Sequence, residues 1–381
     1  MERIAFYAPM KPPDHPVPSG ERETARLFVQ ALEAAGYGVE LACRLRSREP
    51  AGDPSRQARL ERAGGWIAER LVRAYRQRPA DERPVAWFTY HLYYKAMDWI
   101  GPAVAQALDI PYLAAEVSVA PKRAEGPWRH SHDALLEAVA AADVVFPLTE
   151  VNRECLPPGT RQAELAPFLD PAPFQAARAQ REAERRALAE RLALDLDRPW
   201  IAVAAMMRFG VKAQSFALLA EALGRNGLPP FHVLIAGDGP AEAEVQAAFA
   251  RLPAGTVRFL GRLDQAEVAA LFAACDLYAW PAIGEAFGVA PLEAQAAGLP
   301  VVAGRDGGVA EVVGHQESGL LVPPHDTAAF ADAVARLLGD AALRARLSAG
   351  ATARIEKRHG LDRAARTLRQ AIEAAREKRG A

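Results

Sequence analysis

Short apolar runs alternate with stretches of helical period along almost the whole chain. Residues 3–8 (RIAFYA) read as a strand, followed by a proline-rich loop and a helix over 19–35 with Ala25, Phe28, Leu32 and Ala35 on one face. Residues 39–42, 85–89, 112–115 and 144–148 are further strand candidates. The prolines of 164–174 (ELAPFLDPAPF) suit a linker, and the pattern then restarts with strands at 200–204, 232–236, 257–260, 277–280 and 300–303. A last helix over 361–378 carries Leu361, Ala365, Leu368, Ile372 and Ala375 at helical spacing. Such alternation predicts an α/β fold of two doubly wound, Rossmann-like domains with parallel sheets. The expected domains are 1–168 and 169–358, with 359–381 as a C-terminal helix.

Composition narrows the class. A chain of 381 residues, half of them hydrophobic and 24% charged, can bury two cores. A net charge of -1 argues against nucleic acid as main partner. Cys43, Cys155 and Cys275 are far apart, which favours a reducing compartment. The amino-terminal apolar run is too short for a signal peptide, and no apolar stretch approaches the ~18 residues of a membrane span. A cytoplasmic protein is expected. Residues 44–78 hold ten Arg and four acids, with Leu60, Ile67, Leu71 and Ala74 on a candidate face. They read as a solvated surface helix plus loop, or as a peripheral membrane or acceptor contact, and Gly64-Gly65 weighs against a continuous helix.

Candidate chemistry concentrates in residues 284–303, GEAFGVAPLEAQAAGLPVVA. Pro291 suits the first position of a helix and Gly298 its end, so Glu285 falls in the entering loop and Glu293 in the first turn. A helix entered through Gly288 offers free N–H groups to an anion. Two carboxylates beside a phosphate make sense as acceptors for hydroxyls on either side of it. A nucleotide sugar has that layout, with ribose and sugar flanking a diphosphate.

This segment resembles the E-x(7)-E motif of retaining nucleotide-sugar glycosyltransferases of the GT-B fold, family 4. The resemblance extends through AAMMRFGVK, VLIAGDGP, VRFLGRL, GGVAEVV and SGLLVPPHD, and is loose in the amino-terminal half. It implies two domains facing across a cleft, with the C-terminal helix returning to the first domain. It further implies a UDP- or GDP-sugar donor and transfer with retention. Glu285 would contact the transferred sugar, Glu293 the ribose, and Arg208 and Lys212 the diphosphate. Ala286, Phe287, Gly288 and Val289 would line the phosphate and sugar, Arg262 and Leu263 the base, and Gly237 a tight turn near the donor. Gly20 stands where relatives often have a glycine pair at the donor and acceptor, though a helix cap explains it equally. Acceptors of the class include small molecules, glycans and lipid-linked species, and no metal or cofactor is expected.

One departure stands out. Relatives often carry a His after the strand matching PYLAA, where this chain reads AAEVSVAPKR. Glu116, or His91 of FTYHLYYKA, is the candidate replacement, and Lys122 and Arg123 could meet an anionic acceptor. Other polar groups look like decoys. Asp195 and Asp197 suit a turn, His130, His132 and Asp133 a polar loop or helix cap, and His315 and His325 surface turns. The Gly237-Asp238-Gly239 run lacks the third glycine of a dinucleotide fingerprint, having Glu242 there. An epimerase or hydrolase of the same fold, or a non-catalytic nucleotide-sugar binder, remains as an alternative.

Overall fold

A computed structural model describes residues 1–17 and 19–380. Pro18 of the proline-rich loop and Ala381 of the expected C-terminal segment lie outside the described residues. The chain divides into unit 1, residues 1–166 with 361–381, and unit 2, residues 167–360.

Unit 1 holds β1 (Arg3–Tyr7), β2 (Gly38–Leu41), β3 (Pro84–Tyr90), β4 (Tyr112–Ala115) and β5 (Val144–Phe146), all parallel in the order β2-β1-β3-β4-β5. Unit 2 holds β6 (Trp200–Ala204), β7 (His232–Ala236), β8 (Val257–Gly261), β9 (Leu277–Trp280), β10 (Val301–Gly304) and β11 (Gly319–Val322), parallel in the order β11-β10-β9-β6-β7-β8. Helices on both faces bury the central strands completely, so β4 and β9 are unbroken apolar runs and β7 is apolar after His232. That is why their ends were legible. β11, a four-residue strand at the sheet edge, was not foreseen.

Both sheets are doubly wound, and each reverses direction once. The reversal falls between β1 and β3 in unit 1 and between β6 and β9 in unit 2. Loops leaving the carboxyl ends of those strands diverge to opposite faces, which opens a crevice where ligands of such sheets bind.

The helix Leu361–Gly380 belongs to unit 1, burying Leu368 and Ile372. Arg376 forms an ion pair with Glu2, and Arg379 with Asp143 at 3.0 Å.

The Arg-rich segment corrects two expectations. Pro54–Gln77 is one continuous helix of 24 residues, capped by Asp53, and it runs through Gly64-Gly65. A Cβ on Gly64 would lie 2.4 Å from the Cβ of Trp99, so tight packing rather than flexibility explains that glycine. Its buried stripe is Gln57, Gly64, Ala68 and Tyr75, flanked by Ile67, Leu71 and Val72, while Ala74 is exposed. Several arginines are engaged within the fold, Arg44 with Asp14 and Arg78 with Glu40 among them. Among the described residues no helix is long and apolar enough to cross a membrane.

Candidate functional site

At the reversal of unit 2, the loop after β6 leads through Arg208 into the helix Val211–Leu223, and the loop after β9 leads through Glu285 into the helix Val289–Ala296. Lys212, in the first turn of the earlier helix, donates to Oε1 of Glu285, which lies 73 residues further along the chain. The indole Nε1–H of Trp280, the last residue of β9, donates to the same oxygen at 3.0 Å. The Lys212 ammonium also lies 5.4 Å from the centre of the Trp280 ring. Thus one cation, one carboxylate and one buried indole form a single unit at the strand ends.

Backbone hydrogen bonds hold the Glu285 loop from two further sides. Ser215 Oγ accepts from Ile283 N at 3.1 Å, and Asp306 Oδ2 accepts from Gly284 N at 2.8 Å. Gly308 N donates to Ala286 O at 2.7 Å, and a Cβ on Gly307 would fall 1.8 Å from Glu285 O. The loop is clamped by a second loop that only glycine can form.

Glycines also open both helix starts. Gly210 (φ 82°) and Gly288 (φ 79°) are the N-caps, and neither cap supplies a side-chain acceptor. Their first N–H groups and positive dipole ends are left for an anion. Arg208 is exposed and forms no ion pair among the described residues. Phe287 is buried, Ala286 exposed, and Val289 the first residue of its helix.

The helix begins two residues earlier than expected, because the left-handed Gly288 turns the chain at once. Pro291 is therefore third in the helix, where its missing N–H is still no loss, and Glu293 is fifth rather than in the first turn. Both acids act electrostatically on Tyr278, whose hydroxyl is pushed well up by burial first and by Glu285 and Glu293 next.

Gly237 sits beside the loop after β6. At φ 138° its Cβ would meet Ala205 O at 1.9 Å, while its N donates to Gly261 O and Met207 N donates to Asp238 O, both at 2.8 Å. The loops after β6, β7 and β8 are thereby laced together, with Leu263 half-buried and Arg262 exposed at their edge.

Unit 1 gathers polar groups at its own reversal. His91 follows β3, Glu116 follows β4, and Glu21 lies in the first turn of the helix Gly20–Ala34 after β1. His91 Nδ1 and Glu21 Oε2 are 2.7 Å apart. His91 (φ 60°) and Glu116 (φ 53°) both adopt the left-handed region, unusual for side-chain-bearing residues. Burial opposes the imidazolium, but the carboxylates of Glu116 and Glu21 outweigh it and raise His91 to about 9. Burial pushes the Glu116 carboxyl up, and its Oε2 has no hydrogen-bond partner among the described residues. Gly20 is the first helical residue, exposed, with open space where a Cβ would go; the cap is Ser19, not Gly20.

Residues 192–354 match the family model described as glycosyl transferases group 1. Unit 2 carries a group 1 glycosyltransferase domain. Curated proteins similar to this chain include the D-inositol 3-phosphate glycosyltransferase of Salinispora arenicola, 48% identical over 96 residues, or 25% of this chain and 21% of that protein. The enzyme of the same name from Xylanimonas cellulosilytica is 32% identical over 263 residues, 64% of this chain and 60% of its own. The chain spans about a fifth to a third of the length of the first curated relatives it matches. Anabaena HepE in complex with UDP superposes over 98% of this chain and 100% of its own, with a TM-score of 0.73 at 16% identity. The fold of the whole chain is GT-B.

Within the group 1 domain, Asp195 and Asp197 stand away from the β6 and β9 ends: Asp195 accepts from Asp197 N at 3.0 Å and pairs with Arg198 at 3.1 Å. In unit 1, His130 and His132 lie on the helix Arg129–Ala141 rather than in a loop, with His130 2.9 Å from Glu61 and stacked on Trp99. Arg123 and Lys95 lie over Trp128 at 4.6 and 5.1 Å. Among the described residues no three His, Cys, Asp or Glu side chains group as metal ligands. Sequence reading missed Trp280, Asp306, Ser215 and Glu21. Only Glu21, two residues after the helix cap Ser19, carried a local signal.

Proposed function

We propose that this protein transfers a sugar from a nucleoside-diphosphate sugar to an acceptor hydroxyl, with retention at the anomeric carbon. The observation that carries the reading is the meeting of Lys212 with Glu285 at the strand ends where unit 2 reverses. A donor exchanges that internal pair for two external ones. Its diphosphate takes Lys212, Arg208 and the N–H groups opened by Gly210 and Gly288, while a sugar hydroxyl donates to Glu285. Glu293 accepts from the ribose, Ala286, Phe287 and Val289 line the phosphate and sugar, and Gly237, Arg262 and Leu263 border the base. UDP-sugars are the first donors to test, since Anabaena HepE is solved with UDP and with UDP-glucose, and GDP-sugars come next.

In the reaction the bond from the anomeric carbon to phosphate oxygen breaks as the bond to the acceptor oxygen forms on the same face. The acceptor proton passes to the departing phosphate. Lys212, Arg208 and the helix amides stabilise the charge that builds there. His91 and Glu116, with Glu21, orient the acceptor hydroxyl, and Gly20 borders them. Phosphorylated polyols are the acceptors to try first, given the D-inositol 3-phosphate glycosyltransferases among the relatives.

A thermal-shift panel of nucleotide sugars tests the reading. Donor at about a hundredfold excess over its dissociation constant stabilises the fold by roughly 2.7 kcal/mol. A clear rise with UDP- or GDP-sugars is expected, and no rise with any of them contradicts it. Donor breakdown that no acceptor accelerates would mark a hydrolase instead.

A further inference from the structure

Trp280 has no role in the donor chemistry just described, yet it is the one rigid partner of the central carboxylate. We infer that Trp280 is a positioning residue, its indole N–H holding Glu285 in place when a donor's diphosphate draws Lys212 away. The inference rests on the proposed donor reading and deepens it.

Both protein donors converge on Oε1 of Glu285, Lys212 from a flexible side chain and Trp280 at 3.0 Å from the end of β9. Glu285 Oε2 takes no hydrogen bond from the described residues, so it is the oxygen turned to a ligand hydroxyl. The two donors differ in mobility. Lys212 keeps 24% of its side chain exposed and can swing to a phosphate. Trp280 is 1% exposed, with its ring edge-on to Phe216 at 4.8 Å, and cannot follow. Once Lys212 leaves, the carboxylate has lost the one cation it pairs with among the described residues and keeps one side-chain donor there. Without that N–H, Glu285 would swing on its free χ angles and lose its aim at the sugar hydroxyl.

Phenylalanine keeps an aromatic ring beside Phe216 but loses the N–H and the second ring, so W280F also carries a packing loss that a double-mutant cycle must separate. W280F is expected to bind UDP with near wild-type affinity but to release UDP from UDP-glucose, in a mixture of polyols and polyol phosphates, roughly 10- to 100-fold more slowly, the loss typical of a misplaced reacting group. The loss should fall on kcat rather than KM. A double-mutant cycle separates positioning from bulk packing. If Trp280 acts through Glu285, W280F adds no further loss to E285Q; if it merely fills the core, the two losses multiply and the inference falls. Wild-type rates in W280F overturn it as well. Should W280F fail to fold, the Trp280 indole N–H proton resonance of the UDP-saturated protein decides: a shift that E285Q changes supports the inference, and one that E285Q leaves unaltered contradicts it. If the wild-type protein neither binds UDP nor releases it from UDP-glucose, the UDP-donor reading fails, and this inference with it.

Discussion

The two sheets of this chain reverse in the same way and place a cation beside a carboxylate at each reversal, but they build the pair from different materials. Unit 2 uses glycines. Gly210, Gly237, Gly284, Gly288 and Gly307 all take positive φ around Lys212 and Glu285, at little steric cost, with Ala282 (φ 61°) the one exception in the Glu285 loop. Unit 1 uses His91 and Glu116 themselves in the left-handed region, each at a cost of roughly 1–2 kcal/mol. On the proposed reading, unit 2 supplies the shaped anion cradle and unit 1 the polar groups facing the acceptor.

The largest expected effect falls on the unit 2 pair. E285Q keeps the size of the side chain but loses its charge on Lys212, and turnover should drop about 100-fold with the melting transition intact. Turnover near the wild-type rate would remove Glu285 from the chemistry.

Exchanging glycine for side chain in opposite directions sharpens the contrast. G237A drives a Cβ onto Ala205 O and should cost about 2–3 kcal/mol in urea unfolding. H91G relieves backbone strain while losing the contact with Glu21, and, measured above about pH 9 where the imidazolium is already lost, should change stability by less than about 1 kcal/mol. Equal losses in the two variants would erase the distinction. H91N, whose side chain tolerates the same backbone, should keep UDP affinity but lower turnover about tenfold.

A smaller effect concerns pH. His91 binds its proton more tightly folded than unfolded, so its contribution to stability is full below about 6.5, the ordinary histidine value, and is lost as pH rises through about 9. The melting temperature should fall across that window, and E21Q, which removes one of the two facing carboxylates, should flatten the fall. An unchanged slope in E21Q would show that Glu21 does not hold the proton. The smallest effect is D195N, which breaks an exposed pair with Arg198 and should cost under ~1 kcal/mol without altering UDP affinity.

The same difference in materials explains what the sequence revealed. In unit 2 part of the proposed site is written locally, since Glu285, Gly288, Pro291, Glu293 and Gly298 lie within one loop and helix, while Lys212 is brought to Glu285 across 73 residues by the fold. Buried parallel strands such as Tyr112–Ala115 and Leu277–Trp280 were legible because both faces are apolar. The unit 1 cluster joins residues 21, 91 and 116, which only the folded sheet brings together. Gly64-Gly65 misled for a related reason, since the helix break it suggests is overridden by packing on Trp99. Trp280 was hidden because a tryptophan closing a buried strand reads as core, and its N–H partner five residues on depends on the path of the intervening loop.

The most direct test is a crystal structure of the protein with an intact UDP-sugar, or a GDP-sugar if UDP fails. Lys212 should have left Glu285 for the diphosphate, the diphosphate should rest on the N–H groups after Gly288, and Glu285 should accept from a sugar hydroxyl. A donor bound elsewhere, with the Lys212–Glu285 pair unbroken, would contradict the account.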